Sequence, residues 1–301
     1  MPPRIEGILP PHVTPFDKLG KLDLQALDRL VDFWMDSGVH GLVTCASNGE
    51  GLYLSLEERI KVVERVVERS NGRPVVVGLS SPTTDGLIRQ ARAVQDVGAS
   101  AVMPAPIFYY RYSDREILEH YRTFLSSCDL PVVLYNVPKF VGYNIGVDIL
   151  VRLTEEFDHV VGIKESSGLV GRISELIRSA KAPVLAGTGD TLLPALVLGG
   201  AGGVVGVSII APRMCVELYE SFRSGDLRTA AELQLKLTEL NEIVFKRYNQ
   251  LSSVKEVLNL MGLPGGFPRR PSLPLSSRER EELRRSLEEF GLIGSSAGPG
   301  G

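Results

Sequence analysis

The chain has 301 residues, of which 44% are hydrophobic and 23% charged, with a formal net charge of −3. That composition belongs to a folded globular protein, long enough for one large domain or two small ones. A balanced charge with no run of lysine and arginine excludes nucleic acid as the main partner.

The cysteines Cys45, Cys128 and Cys215 stand far apart and form no CxxC pair. A zinc ribbon and a disulfide framework are thereby excluded, and a reducing, cytoplasmic setting fits. His12, His40, His120 and His159 form no HxH or HxxxH group, so no metal site is expected. No basic-then-apolar N-terminus suggests a signal peptide. Residues 192–212 are almost free of polar side chains over about twenty positions, the length of a membrane span. Pro194, Gly199, Gly200, Gly202, Gly203 and Gly206 interrupt them. A buried helix, a glycine turn and a buried strand explain that punctuation better, and no membrane partner is expected.

In chain order, an apolar segment over 5–13 ends at Thr14-Pro15. Leu24, Leu27, Leu30, Val31 and Trp34 share one face of a helix over 23–37 that Gly38 stops. A strand follows over 39–44. Ser55-Leu56-Glu57-Glu58 resembles a capping box and opens the next helix. Strands over 74–78, 99–103, 131–135, 160–164, 183–186 and 203–207 then alternate with helices over 84–97, 113–127, 147–157, 172–180, 190–198 and 212–223. The strands are short and apolar on both faces, as parallel strands are when helices cover them. Eight strand–helix units in about 220 residues predict an α/β fold, a (β/α)8 TIM barrel, over 1–224. No GxGxxG follows the first strand, so a dinucleotide fold loses its support. Helices over 226–247, 254–261 and 278–290 predict a C-terminal α-helical region over 225–292, with a disordered tail over 293–301.

Active sites of such barrels lie at the C-terminal ends of the strands. The sixth strand, His159-Val160-Val161-Gly162-Ile163, ends on Lys164. Lysine is rare in a buried strand, and burial disfavours its ammonium form. The neutral amine is a nucleophile that forms Schiff bases with carbonyl substrates. The fifth strand brings Tyr135, which can donate and accept protons beside it. The second ends on Ser47-Asn48-Gly49, a turn whose N–H groups and side chains can hold a carboxylate. Glu50 reads as structural. Tyr109 and Tyr110 read equally well as proton carriers or as contacts between subunits, and Arg111 as a grip on a distal anion or a surface residue.

Val13-Thr14-Pro15-Phe16, Ser47-Asn48-Gly49-Glu50, Tyr135-Asn136-Val137-Pro138 and Gly162-Ile163-Lys164-Glu165-Ser166 together resemble the pyruvate-dependent class I aldolases. That family includes dihydrodipicolinate synthase, N-acetylneuraminate lyase and the 2-keto-3-deoxygluconate aldolases. The resemblance implies that Lys164 forms the Schiff base, with Tyr135 as proton donor and acceptor and Ser47 as relay hydroxyl. It implies that Ser47, Asn48 and Gly49 hold the keto-acid carboxylate, and that Gly187 and Val205 line the same pocket. It also implies a homotetramer in which a tyrosine crosses to the neighbouring site, and a reaction that needs no cofactor. Counted from Pro106 that tyrosine falls on Phe108, and counted back from Ser113 on Tyr109. Tyr109 is taken, with Tyr110 as the alternative.

In the synthases, an arginine two positions after the motif proline grips the second substrate. Here that position is Phe140. Together with Pro138-Lys139-Phe140-Val141-Gly142 and Arg111, it is similar to the sugar-acid aldolases. The expected reaction is therefore cleavage of a 2-keto-3-deoxy sugar acid to pyruvate and an aldehyde. The alternatives are dihydrodipicolinate synthesis, 4-hydroxy-2-oxoglutarate cleavage (suggested by Asn48) and a barrel that binds keto acids without turnover.

Overall fold

Eight parallel strands alternate with helices in the computed structural model, which describes residues 4–294. The first half runs β1 (Gly7–Ile8), α1 (Leu24–Asp36), β2 (Leu42–Thr44), α2 (Leu56–Arg69), β3 (Val75–Leu79), α3 (Thr84–Gln95), β4 (Ala101–Pro104) and α4 (Asp114–Leu125). The second half runs β5 (Val132–Asn136), α5 (Pro138–Val141), α6 (Val147–Glu156), β6 (Val160–Glu165), α7 (Val170–Ser179), β7 (Val184–Ala186), α8 (Leu192–Val197), β8 (Gly202–Gly203) and α9 (Pro212–Ser224). Three helices follow: α10 (Leu227–Asn241), α11 (Gln250–Leu260) and α12 (Ser277–Phe290).

Strand order in the sheet is β1-β8-β7-β6-β5-β4-β3-β2, and a parallel bridge from Pro11 to Val43 joins its two edges. The expected barrel is therefore closed. The β1–β8 seam depends on glycine. Gly202 has φ 151°, and a Cβ there would stand 2.0 Å from the Gly7 carbonyl oxygen. The capping box at Ser55 and Glu58 forms as expected and starts α2. The tail expected over 293–301 lies, from residue 295 onward, outside the described residues. No helix among the described residues is long and apolar enough to cross a membrane.

Strand alternation sorts the core into two layers. Val43, Val76, Met103, Val133, Tyr135, Leu185 and Val204 fill the barrel interior. Val75, Val77, Leu134, Ile163, Val184 and Val205 pack outward against the helices. Because the side-chain period is two, the outward packing of Ile163 turns Lys164 inward.

Two buried histidines are expected to make this fold acid-sensitive. His12 stacks on Trp34 with ring centroids 4.8 Å apart, and its Nε2 has no partner among the described residues. Burial pushes its pKa from the usual 6.5 down to about 4. Burial pushes His120 to about 4 as well, and its Nε2 is also without a partner among the described residues. The unfolded chain takes up these protons near pH 6.5 and the folded chain only near pH 4, so stability falls as pH drops through that window. Each histidine is expected to cost up to about 3 kcal/mol by pH 4. Thermal unfolding followed from pH 7 to pH 4.5 checks this. A His12→Phe/His120→Phe double variant should lose markedly less of its midpoint over that range; an unchanged slope would show that other groups set the acid sensitivity.

Candidate active site

The strand ends surround a cavity of about 560 Å³ that Ser47, Asn48, Tyr135, Lys164 and Gly187 all line. Lys164 is only 4% exposed, and the β5–β6 register sets it directly beside Tyr135. Its Nζ lies 4.2 Å from the centre of the Tyr135 ring. The ring face holds an ammonium weakly, and no carboxylate among the described residues forms an ion pair with it. An amine kept in this position is protected from bulk water and open to the cavity.

A buried polar clamp fixes the two strand ends. Asn136 Nδ2 donates to both Glu165 carboxylate oxygens at 2.9 and 3.0 Å. Ser167 N–H donates to Glu165 Oε1 at 2.7 Å, and Arg172 Nε pairs with Oε2 at 3.3 Å. Asn136 Oδ1 accepts from Ile145 N–H at 3.0 Å. The fully buried Glu165 is thus held by β5 through Asn136, by the following turn through Ser167 and by α7 through Arg172, one residue beyond Tyr135 and Lys164. The motif residues Asn136 and Glu165 are the mounting of the site rather than its reacting groups.

The loop after β2 is held under backbone strain. Cys45 and Glu50, at φ 53° and 52°, occupy the left-handed region at its two ends. Thr14 Oγ1 donates to the Gly49 carbonyl at 2.7 Å, which explains the Val13-Thr14 motif. Glu50 is structural, as expected. Its buried carboxylate pairs with Lys255 and accepts from Arg269 N–H at 2.8 Å, tying the loop to the C-terminal helices. Between these anchors, the N–H groups of Ser47, Asn48 and Gly49 make no hydrogen bond to other described residues.

The other sequence candidates divide. Gly187 lines the cavity, and only glycine fits there, since a Cβ would stand 1.8 Å from Ser166 Oγ. Val205 packs in the outer layer instead, and the neighbouring Val204 and Gly206 line the cavity. A strand of two glycines hides this parity in the sequence. Tyr109 is 86% exposed, with φ 88°, and packs edge-to-face on Tyr110 at 5.0 Å. Neither Tyr109 nor the exposed Arg111 lines the cavity of its own chain.

The lid over the cavity was not expected from sequence. Phe245, Lys246, Tyr248 and Gln250 come from the C-terminal helices, and Lys139 from the turn after β5. Residues Glu242–Lys246 form a π-helical turn, which rotates Phe245 and Lys246 into place and has no sequence signal of its own. Asn249 caps α11 four residues earlier than the expected start at 254 and brings Gln250 to the cavity. An asparagine before the apolar run was a readable signal for that. Ser166 Oγ is buried at the cavity wall without a partner among the described residues.

Residues 4–290 match the Dihydrodipicolinate synthetase family. A 4-hydroxy-tetrahydrodipicolinate synthase of Methanothrix thermoacetophila is 38% identical over 94% of this chain and 96% of its own. The solved dihydrodipicolinate synthase of Thermotoga maritima superposes with TM-score 0.91, at 32% identity over 97% of this chain and all of its own. A prophage protein of E. coli K12 from the same family, solved with pyruvate, gives TM-score 0.92 at 26% identity over 96% of this chain and 99% of its own. The enzyme is a carbon–carbon lyase that works through a lysine Schiff base. From barrel to motif to relatives, the chain belongs to the dihydrodipicolinate synthetase family.

Proposed function

We propose that the chain joins pyruvate to aspartate semialdehyde, the reaction of a 4-hydroxy-tetrahydrodipicolinate synthase. One observation carries the chemistry: a buried Lys164 beside Tyr135 at the mouth of the barrel. Lys164 Nζ attacks the keto carbon of pyruvate, and the carbinolamine loses water to give a protonated imine. The imine draws electrons from the methyl carbon, which gives up a proton and becomes the enamine carbon. That carbon attacks the aldehyde, a C–C bond forms, and the aldehyde oxygen takes a proton. Attack by the substrate's own amine on the imine carbon then closes the ring and frees Lys164.

Tyr135 moves the protons, with Ser47 as relay. Unspent N–H groups at Ser47, Asn48 and Gly49 hold the pyruvate carboxylate, and Gly187 keeps the opposite wall clear. Val204 supplies the apolar contact that Val205 was expected to make. Tyr109, exposed on its own chain, serves the site of a second copy in a cytoplasmic homotetramer.

The names of the relatives support the synthase above the sugar-acid cleavage expected from sequence. Phe140, at the position where the synthases carry arginine, favours cleavage of a 2-keto-3-deoxy sugar acid as the second reading. Rates with pyruvate and either aspartate semialdehyde or glyceraldehyde separate them. The proposal expects at least a tenfold higher kcat/KM with the semialdehyde, and the reverse order would replace it with the aldolase.

A further inference from the structure

The charged side chains lining the cavity are three lysines, Lys139, Lys164 and Lys246, and one aspartate, Asp190. Under the proposed function the charge on the Lys164 imine is offset by the pyruvate carboxylate. Lys246 is already neutralised, by Asp190 at 3.0 Å and Glu242 at 3.2 Å. Lys139 has no carboxylate partner among the described residues. Its Nζ donates to the neutral Gln250 Oε1 at 2.7 Å and to the Phe245 carbonyl at 3.4 Å. An ammonium has three donors, so one remains to be satisfied.

Gln250 is committed at both ends of its amide. Its Oε1 accepts from Lys139, and its Nε2 donates to Asn48 Oδ1 at 2.6 Å. The turn after β5, the lid and the loop after β2 are thus joined across the cavity in one line of hydrogen bonds. Lys139 keeps a stated position at the rim although its carbon stem is long and flexible. Partial burial lowers its pKa.

The geometry points to Lys139 as the residue that grips an acidic group at the far end of the aldehyde substrate, with Gln250 as its positioning residue. This inference rests on the Schiff-base reading of Lys164 and adds a selectivity to it. Aldehydes ending in carboxylate or phosphate enter better than neutral aldehydes of similar length. Phe140, the next residue, is half exposed at the same rim, with its ring centre 5.8 Å from Lys139 Nζ. A charge-assisted contact of this kind is worth roughly tenfold to a hundredfold in kcat/KM.

The test compares kcat/KM for two pairs of aldehydes with pyruvate: succinic semialdehyde against butanal, and glyceraldehyde 3-phosphate against glyceraldehyde. The parent enzyme should favour the anionic member of at least one pair, whichever acid it has evolved to take. In Lys139→Met the anionic-to-neutral ratio should fall tenfold or more through KM for the aldehyde, while Lys139→Arg retains most of it. Gln250→Leu should lower the same ratio by a smaller factor. Borohydride trapping of pyruvate on each variant checks that the Schiff base still forms. If the parent shows no anionic preference, or Lys139→Met keeps it, the grip is wrong while the Schiff-base function stands. If no pyruvyl adduct forms on the parent enzyme, the function fails first and the grip with it.

Discussion

Lys164→Met is expected to lower kcat/KM by roughly 10⁴-fold or more, about 5 kcal/mol of transition-state stabilisation, without unfolding the chain. The thioether cannot form an imine, so the enamine route is lost outright rather than slowed. The fold, in contrast, has nothing to lose. Lys164 is 4% exposed, has no ion-pair partner among the described residues, and rests on the ring of Tyr135. Burying an amine this way costs stability, and an apolar side chain of similar length removes the cost. The variant should therefore melt at the same temperature as the parent or a few degrees higher. Steady-state rates and thermal midpoints of the two proteins check both halves. A variant that loses activity because it has unfolded would move Lys164 from the chemistry to the scaffold.

Glu50→Gln is expected to have the largest effect on stability. Glu50 and Lys255 are 0% and 1% exposed at their side chains, and they join the loop after β2 to α11. Lys255 also donates to the Phe267 carbonyl at 2.8 Å and sits 4.5 Å from the Phe16 ring centre. Burial already presses its pKa down to about 8 despite the neighbouring carboxylate. Removing that carboxylate strands the ammonium, at a cost of about 3–5 kcal/mol. Glu50→Leu combined with Lys255→Met should recover much of the loss, because two apolar groups need no partner. Denaturant midpoints of the three variants check this. A cost below about 1 kcal/mol for Glu50→Gln would mean that the lid is held elsewhere. Activity should fall along with stability in Glu50→Gln, since the same carboxylate fixes the end of the loop that carries Ser47, Asn48 and Gly49.

The barrel was legible because its signals are local. Short apolar runs repeat eight times, capping residues such as Ser55 and glycine stops such as Gly38 punctuate them, and each strand end names its own contribution to the mouth. Lys164, Tyr135, Ser47 and Asn48 followed from that rule, and Gly187 from the family resemblance. Val205 was misplaced by one residue because β8 is two glycines long and gives no alternation to count. Asn136 and Glu165 were visible as motif residues, but their clamp needs two strands in register with Arg172 on α7. The lid was hidden most completely. Lys139 and Gln250 lie 111 positions apart, and nothing local announces that a π-helical turn and an asparagine cap bring them together. The preference for a sugar acid rested on Phe140 and on the likeness of Pro138-Lys139-Phe140-Val141-Gly142 and Arg111 to the sugar-acid aldolases, none of which reports how the C-terminal helices close over the cavity.

Borohydride reduction in the presence of pyruvate, followed by peptide mass analysis, tests the central claim most directly. The account predicts one reduced pyruvyl group per chain, carried on the peptide that contains Lys164 and absent from Lys164→Met. An adduct on Lys139 or Lys246, or none on any peptide, would contradict it.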